Sequence, residues 1–337
     1  MGVQISEIEY YLPVNKKTNE DLQRENPEWD VDKVASKTGI YSRHIAGKDE
    51  TALDLAIKAL EKLFTNTSVK KEDIDGIIFC TQSPDYLMPS NSFLIHKKFE
   101  FDKNVWTFDY NLACSGYVYG LCIARGFIET NMAKNILLIT SDTYSKYIHE
   151  KDRSTVNLFG DGAAVTIVSN SDSDNVGIID AMLSSSGKEY KSFYIPSGGS
   201  RMPKNETSKE ETKDSSGNIK HSENIHMNGF AVWKFISRIV PQQIEKILEN
   251  NNLTIDDIDF LGFHQASKLT LESLAKALKI SNNKIYTNLD KIGNTVSSSI
   301  PIALKDAMEE KKLKRGDLIV LSGFGVGLSW GTLLMKF

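Results

Sequence analysis

The chain contains few cysteines and almost no net charge. Its 337 residues include 3 cysteines, Cys80, Cys114 and Cys122, with no C-x-x-C pair and one thiol left over. That set argues against a disulfide framework and favours free thiols in a reducing compartment. The formal net charge is only -4, so no global field favours nucleic acid or an anionic membrane. We therefore expect substrates that are small molecules or groups carried on proteins.

A membrane-spanning stretch and a secretory leader are also lacking. No segment approaches the ~18 consecutive apolar residues that a transmembrane helix needs. The first residues, Met-Gly-Val-Gln-Ile-Ser-Glu-Ile, begin an alternating strand-like pattern at once, without a basic segment followed by an apolar one. We expect a cytoplasmic protein that makes no membrane contact.

Apolar residues are present in ordinary amount and in a clear pattern. They make up 40% of the chain, and charged residues 25%, which is enough to build a large core. Short β-branched runs alternate with helical patterns, which predicts an α/β fold with a largely parallel sheet. The predicted strands are 74–80, 135–141, 163–169, 177–184, 258–263, 317–322 and 328–335.

The two halves of the chain look alike. A helical pattern near 53–65 precedes the run Ile-Asp-Gly-Ile-Ile-Phe-Cys, and another near 231–250 precedes Ile-Asp-Phe-Leu-Gly-Phe. This repetition predicts a duplication, with a boundary near residue 172 and halves at 1–172 and 173–337. The polar segment 197–222 has almost no apolar anchors and is predicted to be a surface loop. Two roles are consistent with this segment: a solvated surface loop without a function of its own, or a lid or docking arm.

Cys114 lies where a strand pattern ends and a helical one begins, in Leu-Ala-Cys-Ser-Gly-Tyr. A thiol at such a turn faces the free N–H groups of a helix N-terminus, which favour the thiolate and so make a nucleophile. The alternative is a buried structural cysteine. Cys80 and Cys122 fit that alternative better.

Two further polar residues follow strands or precede helices. His264 comes directly after a predicted strand, at the kind of strand end that opens onto a crevice, where an imidazole can donate a hydrogen bond or move a proton. Asn294 lies in a loop that runs into a helix with Pro301 in its first turn, and its amide could supply a donor to a developing enolate. A polar strand end and a turn or cap asparagine are the alternatives.

Together with Phe159-Gly-Asp-Gly and Gly323-Phe-Gly-Val-Gly, these segments resemble the ketoacyl-acyl-carrier-protein synthase III family, from residue 3 to 337. The resemblance implies the thiolase fold, a duplicated five-layer α/β/α/β/α architecture that works as a homodimer. It implies acyl-CoA or acyl carrier protein as substrates, and neither a cofactor nor a metal.

By the same resemblance, Cys114 is the acylated nucleophile. His264 and Asn294 would hold the thioester carbonyl of a malonyl donor and stabilise the enolate left after loss of CO2. The backbone N–H groups of Cys114 and Val326 would form an oxyanion hole, and Phe324 would press on the malonyl carboxylate. The implied activity is decarboxylative condensation to a 3-oxoacyl thioester, in fatty-acid or related acyl-chain biosynthesis.

The chain departs from the family where CoA usually binds. A tryptophan and an arginine that stack on the adenine are replaced by Lys33 and Lys37, and Trp29 is the nearest tryptophan upstream. Arg153 keeps its place, which implies a phosphate or adenine contact.

Other departures lie along the acyl and pantetheine path. Phe230 replaces an asparagine that touches the pantetheine arm, near Trp233, which we also place at the substrate. Leu269 replaces an arginine that docks the carrier protein, and the neighbouring Lys268 could substitute. Met88 takes the place of a residue that closes the acyl pocket of the partner subunit.

These departures and the 197–222 loop suggest a specialised paralogue. Two alternatives to condensation remain at this stage. One is an acyltransferase that moves the acyl group from Cys114 to an amine or hydroxyl, and the other is an inactive scaffold.

Overall fold

The computed structural model describes residues 2–171, 173, 176–281 and 284–337. The strands are β1 (Gly2–Tyr11), β2 (Lys16–Thr18), β3 (Ser42–His44), β4 (Gly76–Cys80), β5 (Trp106–Tyr110), β6 (Asn135–Asp142), β7 (Gly162–Ser171), β8 (Gly177–Ser185), β9 (Phe193–Tyr194), β10 (Thr212–Lys213), β11 (Ile219–Lys220), β12 (His226–Met227), β13 (Phe260–Phe263), β14 (Leu318–Gly325) and β15 (Ser329–Lys336). The helices are α1 (Asn19–Glu25), α2 (Val31–Thr38), α3 (Ala52–Asn66), α4 (Asn91–Lys98), α5 (Gly116–Glu129), α6 (Arg153–Val156), α7 (Gly229–Asn250), α8 (Lys268–Leu278), α9 (Leu289–Ile292) and α10 (Ser299–Glu309).

Two main sheets repeat one topology. The first has the order β1-β7-β6-β4-β5 and the second β13-β14-β15-β8. In each, a parallel pair (β4 with β6, β13 with β14) is followed by two antiparallel pairs. The prediction of a largely parallel sheet is therefore wrong, because both sheets are mixed. A tight turn joins β14 to β15, and so short a connection permits only antiparallel pairing.

The repeated Ile-Asp dipeptides make equivalent hydrogen bonds in the two halves. The carboxylate of Asp75 accepts from the backbone N–H of Asn135 at 3.0 Å, just before β4 and at the start of β6. The carboxylate of Asp259 accepts from the N–H of Leu318 at 2.8 Å, before β13 and at the start of β14. Each aspartate thus fixes the register of a parallel strand pair, which confirms the duplication in atomic detail.

Five layers result from how these elements bury their apolar faces. Helices α5 and α10 pack between the two sheets in one shared core. Helix α3 covers the outer face of the first sheet, and α7 and α8 cover the outer face of the second. The central helices are apolar on most sides, as burial between two sheets requires. At Gly120 in α5 an added Cβ would lie 2.4 Å from the hydroxyl of Tyr110, so only glycine permits this approach.

The polar segment 197–222 lies on the surface, as predicted, but it is anchored. It contains the small hairpin β10–β11. The N–H of Ile219 donates to the carbonyl of Lys151 at 3.2 Å, and Arg153 Nη2 donates to the carbonyl of Ser216 at 3.3 Å. The hairpin therefore rests on the start of α6. The predicted boundary at residue 172 lies outside the described residues.

Candidate active site

Cys114 sits in the turn between β5 and α5, as the sequence predicted. The side chain is buried, and the backbone N–H groups of Cys114 and Val326 lie close enough to its Sγ to favour the thiolate. A Cβ added at Gly325 would lie 2.9 Å from Sγ. Position 325 therefore has to be glycine, because the backbone passes directly over the thiol there. These two N–H groups are the candidate donors to the oxyanion of a thioester.

The expected thiolate is not what this site favours. Burial raises the pKa of the Cys114 thiol, and the nearby carboxyl of Asp142 raises it further, while the two N–H groups only partly oppose the shift. Desolvation of a charged form outweighs the helix N-terminus here. Burial therefore favours the neutral thiol over the thiolate at Cys114.

His264 is the first residue after β13, and one hydroxyl fixes its ring. Its Nδ1 lies 2.6 Å from Ser299 Oγ. The N–H of Gln265 donates to the same oxygen at 3.4 Å. A Ser299 hydroxyl that donates to Nδ1 leaves the imidazole proton on Nε2. Burial lowers the pKa of His264 to about 3, which keeps the ring neutral and makes Nε2–H a donor.

Asn294 presents a second donor beside the first. Its Oδ1 accepts from the backbone N–H of Val296 at 2.9 Å, which fixes the amide so that its NH2 group faces His264. Asn294 Nδ2 lies 3.4 Å from His264 Nε2. Two donor nitrogens at this distance can bind one oxygen between them.

Phe324 and the turn after it are held against Cys114. The buried ring of Phe324 meets that of His264 edge to face, with centroids 5.6 Å apart. Ser329 Oγ donates to the carbonyl of Val326 at 2.7 Å, and it lies 2.7 Å from Ser115 Oγ. This serine pair links the residue after Cys114 to the peptide that follows Val326.

One cavity brings the predicted catalytic side chains together. It has a volume of about 220 Å³, and Cys114, His264, Asn294 and Phe324 all line it. Lys37, Trp233 and Leu269 line the same cavity toward its mouth. We call this cavity the Cys114 channel.

Other predicted binding residues lie farther out. Arg153, Lys33 and Lys37 line a neighbouring cavity of about 490 Å³. Phe230 is 70% exposed, and its ring contacts that of Trp233 at a centroid distance of 5.9 Å. Trp29 packs in a buried cluster with Leu22 and Val31 and does not line the mouth, so it does not replace the missing tryptophan.

Met88 does not join these residues within one chain. It is 83% exposed and does not line the Cys114 cavity among the described residues. Its neighbour Leu87 is exposed as well, so an apolar segment projects from the surface there.

Sequence reasoning missed the role of three successive serines. They lead into α10, yet none of their side chains caps the helix. Ser297 donates to Asp142, Ser298 donates to the carbonyl of Thr140 at 2.9 Å, and Ser299 contacts His264. An unbroken run of hydroxyls before a buried helix is the signal that could have indicated tertiary contacts.

Comparisons with known proteins agree with this geometry. Residues 108–187 match the model of 3-oxoacyl-[acyl-carrier-protein] synthase III, and residues 248–337 match its C-terminal model. A beta-ketoacyl-[acyl-carrier-protein] synthase III of Caldanaerobacter subterraneus subsp. tengcongensis is 38% identical over 97% of this chain and 95% of that protein. The chain belongs to the 3-oxoacyl-[acyl-carrier-protein] synthase III family. It is therefore an acyl-transferring enzyme of the condensing type, with the thiolase fold.

Solved structures of the family superimpose over the whole chain. A 3-oxoacyl-(acyl-carrier-protein) synthase III has a TM-score of 0.97 at 37% identity and covers 100% of both chains. The synthase III from Aquifex aeolicus has a TM-score of 0.85 at 32% identity, also over 100% of both chains. No helix in the described part of the chain is long and apolar enough to span a membrane.

Proposed function

We propose that this enzyme joins an acyl group carried on Cys114 to a malonyl thioester, with loss of CO2, and releases a 3-oxoacyl thioester for fatty-acid or related acyl-chain biosynthesis. The observation that carries the proposal is the pair of donor nitrogens, His264 Nε2 and Asn294 Nδ2, 3.4 Å apart in the cavity that holds Cys114. A site with two neutral donors and no carboxylate between them suits an enolate oxygen.

The first step is acyl transfer. The Cys114 sulfur attacks the carbonyl carbon of an acyl thioester, and the N–H groups of Cys114 and Val326 bind the oxyanion. The C–S bond of the donor then breaks, and its sulfur leaves as a thiol with the proton that Cys114 loses. The donor is an acyl-CoA or an acyl carrier protein.

The second step is condensation. The malonyl thioester places its carbonyl oxygen against His264 and Asn294, and the carboxylate lies against the apolar ring of Phe324. Loss of CO2 leaves its electron pair in the enolate, whose charge the two donors stabilise more strongly than they stabilise the neutral carbonyl. The enolate carbon attacks the acyl carbonyl on Cys114, and the Cys114 sulfur leaves and takes up one proton from solvent.

Acyl carrier protein is the proposed partner, and a homodimer in the cytoplasm is the proposed working form. The three free cysteines support a reducing compartment. The exposed apolar residues Leu87 and Met88 and the edge strand β5 support a second subunit, since unpaired strand edges and apolar segments are normally covered. Lys37 and Arg153 at the mouth suit the phosphate of a carrier arm.

Intact-protein mass spectrometry tests the proposal. The enzyme is incubated with acyl-CoAs and acyl carrier proteins, and malonyl carrier protein is then added, with Cys114→Ala as control. We expect an acyl mass on Cys114 that disappears with CO2 release. An acyl-enzyme that malonyl carrier protein never discharges, but an amine or alcohol does, would establish the acyltransferase function instead.

A further inference from the structure

One backbone N–H decides which way the side chain of Asn294 faces. The Asn294 backbone is fixed on both sides, since its N–H donates to the carbonyl of Leu158 at 2.9 Å and its carbonyl accepts from the N–H of Gly160 at 3.0 Å. The side-chain Oδ1 accepts from the N–H of Val296 at 2.9 Å. A backbone N–H pairs with the amide oxygen and not with the NH2 group, so this contact turns the NH2 group toward His264. Without it the amide could turn over and present its oxygen to a substrate carbonyl.

Val296 has an unfavourable backbone conformation. Its φ is 54°, in the left-handed region, where the Cβ of an L-residue crowds the backbone and β-branched residues are rare. The side chain is fully buried and packs in the apolar cluster that contains Cys114 and Tyr144. Such a conformation persists only where surrounding contacts hold it. A return to negative φ would rotate the peptide whose N–H reaches Asn294.

The residue after Val296 supplies a contact of this kind. Ser297 Oγ donates to Asp142 Oδ2 at 2.5 Å, and both side chains are buried. Asp142 is the last residue of β6, and its Oδ1 accepts from the N–H of Gln82 at 2.8 Å, so the carboxyl is itself fixed. Loss of the Ser297 hydroxyl would leave a buried carboxyl short of a donor and release the turn. A strand of the first half thus holds the turn that orients a donor of the second half.

We propose that Ser297 and Asp142 are positioning residues for condensation, an inference that rests on the proposed function. They hold Val296 in its left-handed conformation, which keeps its N–H on Asn294 Oδ1 and the Asn294 NH2 group toward the enolate oxygen. Neither of them is among the described residues that line the Cys114 channel, so they act through Asn294 and not on the substrate. A small misplacement of a group that binds the transition state can slow a reaction by about 100-fold.

A double-mutant cycle tests the positioning role. Ser297→Ala is made in wild type and in Val296→Gly, because glycine adopts positive φ without strain and needs no contact to hold it there. Each background is its own reference, so the loss of the valine side chain cancels. In the wild-type background we expect kcat for condensation to fall by about tenfold or more, with little change in KM for malonyl carrier protein. In the Val296→Gly background the same change should cost about twofold or less.

The acylation step and a crystal structure give two further readouts. Ser297→Ala should change the rate at which Cys114 is acylated very little, since Asn294 has no part in that step. In crystals of Ser297→Ala we expect a negative φ at Val296 and a distance from its nitrogen to Asn294 Oδ1 beyond about 3.5 Å. Ser297→Cys keeps nearly the same volume with a weaker donor. It should slow condensation to a smaller extent, and it carries the test if Ser297→Ala does not fold.

Ser141→Ala is the matched control. Ser141 is 0% exposed and Ser297 is 1% exposed, and Ser141 precedes Asp142 in β6. Its hydroxyl donates to the carbonyl of Ala52 at 2.7 Å, at the start of α3 and not at the turn of Val296. The control should lower the melting temperature to a similar extent and leave the ratio of condensation rate to acylation rate unchanged.

The outcomes separate this proposal from the proposed function. Equal losses in condensation and acylation, equal losses in the two backgrounds, or unchanged condensation in folded Ser297→Ala and Ser297→Cys enzymes would overturn the positioning role and leave the condensing function intact. A wild-type enzyme that acylates Cys114 but never releases CO2 from malonyl carrier protein would remove the proposed function, and the positioning role with it.

Discussion

The inner end of the Cys114 channel and its mouth are built in different ways. At the inner end, Cys114, His264 and Asn294 are buried and held by contacts to backbone or to buried hydroxyls. At the mouth, Lys37 and Arg153 sit on short helices and line the neighbouring cavity together with acidic residues. A group fixed by buried contacts can act on a transition state, whereas an exposed charge acts mainly on encounter. Chemistry should therefore be sensitive to the inner end and only weakly sensitive to the mouth.

The largest effect should come from removing a donor at the inner end. We expect Asn294→Ala to lower the rate of condensation by about 100- to 1,000-fold, because one of two donors to the enolate oxygen is lost. The rate at which Cys114 acquires its acyl group should change little, since the oxyanion hole for that step is backbone. Stopped assays of CO2 release and of acyl-enzyme mass measure the two steps separately. Equal losses in the rates of both steps would contradict the assignment of Asn294 to condensation alone.

Ser299→Ala should produce the next largest effect. Loss of the hydroxyl frees His264 to adopt the tautomer with its proton on Nδ1, and we expect condensation to slow by about tenfold or more. Nuclear magnetic resonance of ¹⁵N-labelled histidine should report the change of tautomer, with His264→Ala used to assign the signal.

Ser298→Ala is the matched control for Ser299→Ala. It removes hydrogen bonds to the carbonyls of Thr140 and Gly162 from the same segment but does not touch His264. If both variants lost the same activity and neither changed the tautomer, Ser299 would have only a structural role.

Asp142 should give a smaller, pH-dependent effect on stability. Burial raises its pKa to about 7 in the folded protein, against hydrogen bonds from Ser297 and Gln82, whereas its pKa in the unfolded chain is near 3.8. The folded state thus binds more protons between these values, so the stabilising contribution of this group is present at low pH and is lost as pH rises through about 7. Urea denaturation at about pH 5 and about pH 8 should show a larger loss of stability with pH in wild type than in Asp142→Asn, in which other buried carboxyls such as Asp161 still titrate. Parallel pH profiles would contradict the raised pKa.

The smallest effect should come from the mouth. Lys37→Ala and Arg153→Ala should each raise KM for the carrier-borne donor by about twofold to fivefold and leave kcat unchanged, because exposed charges contribute little. Glu28 and Asp30 line the same cavity and reduce the positive field further. Added salt should shrink the difference from wild type. A large fall in kcat would mean that the mouth takes part in positioning the reacting groups.

The sequence predicted the inner end well because backbone pattern determines it. Cys114 lies at a strand-to-helix turn and His264 at a strand end, and both positions follow from hydrophobic periodicity. The Ile-Asp repeats predicted the duplication for the same reason. Mixed pairing in the sheets was missed, since an apolar run does not encode the direction of its neighbour.

The parts that sequence did not predict depend on contacts between distant residues. Ser299 and His264 are far apart in the chain but in contact in the fold. The sequence predicted a thiolate at Cys114, but burial and the carboxyl of Asp142 raise the pKa of the thiol by more than the backbone N–H groups lower it. Neither burial nor Asp142 is visible in the local motif. Trp29 could not be placed either, since its packing with Leu22 and Val31 depends on how α1 and α2 meet.

A crystal structure with a malonyl thioester analogue that cannot lose CO2 tests the central claim most directly. The account predicts the thioester oxygen between His264 Nε2 and Asn294 Nδ2, about 2.7–3.1 Å from each, with the carboxylate against Phe324. An oxygen bound away from both nitrogens would contradict the proposal that this pair of donors drives decarboxylation.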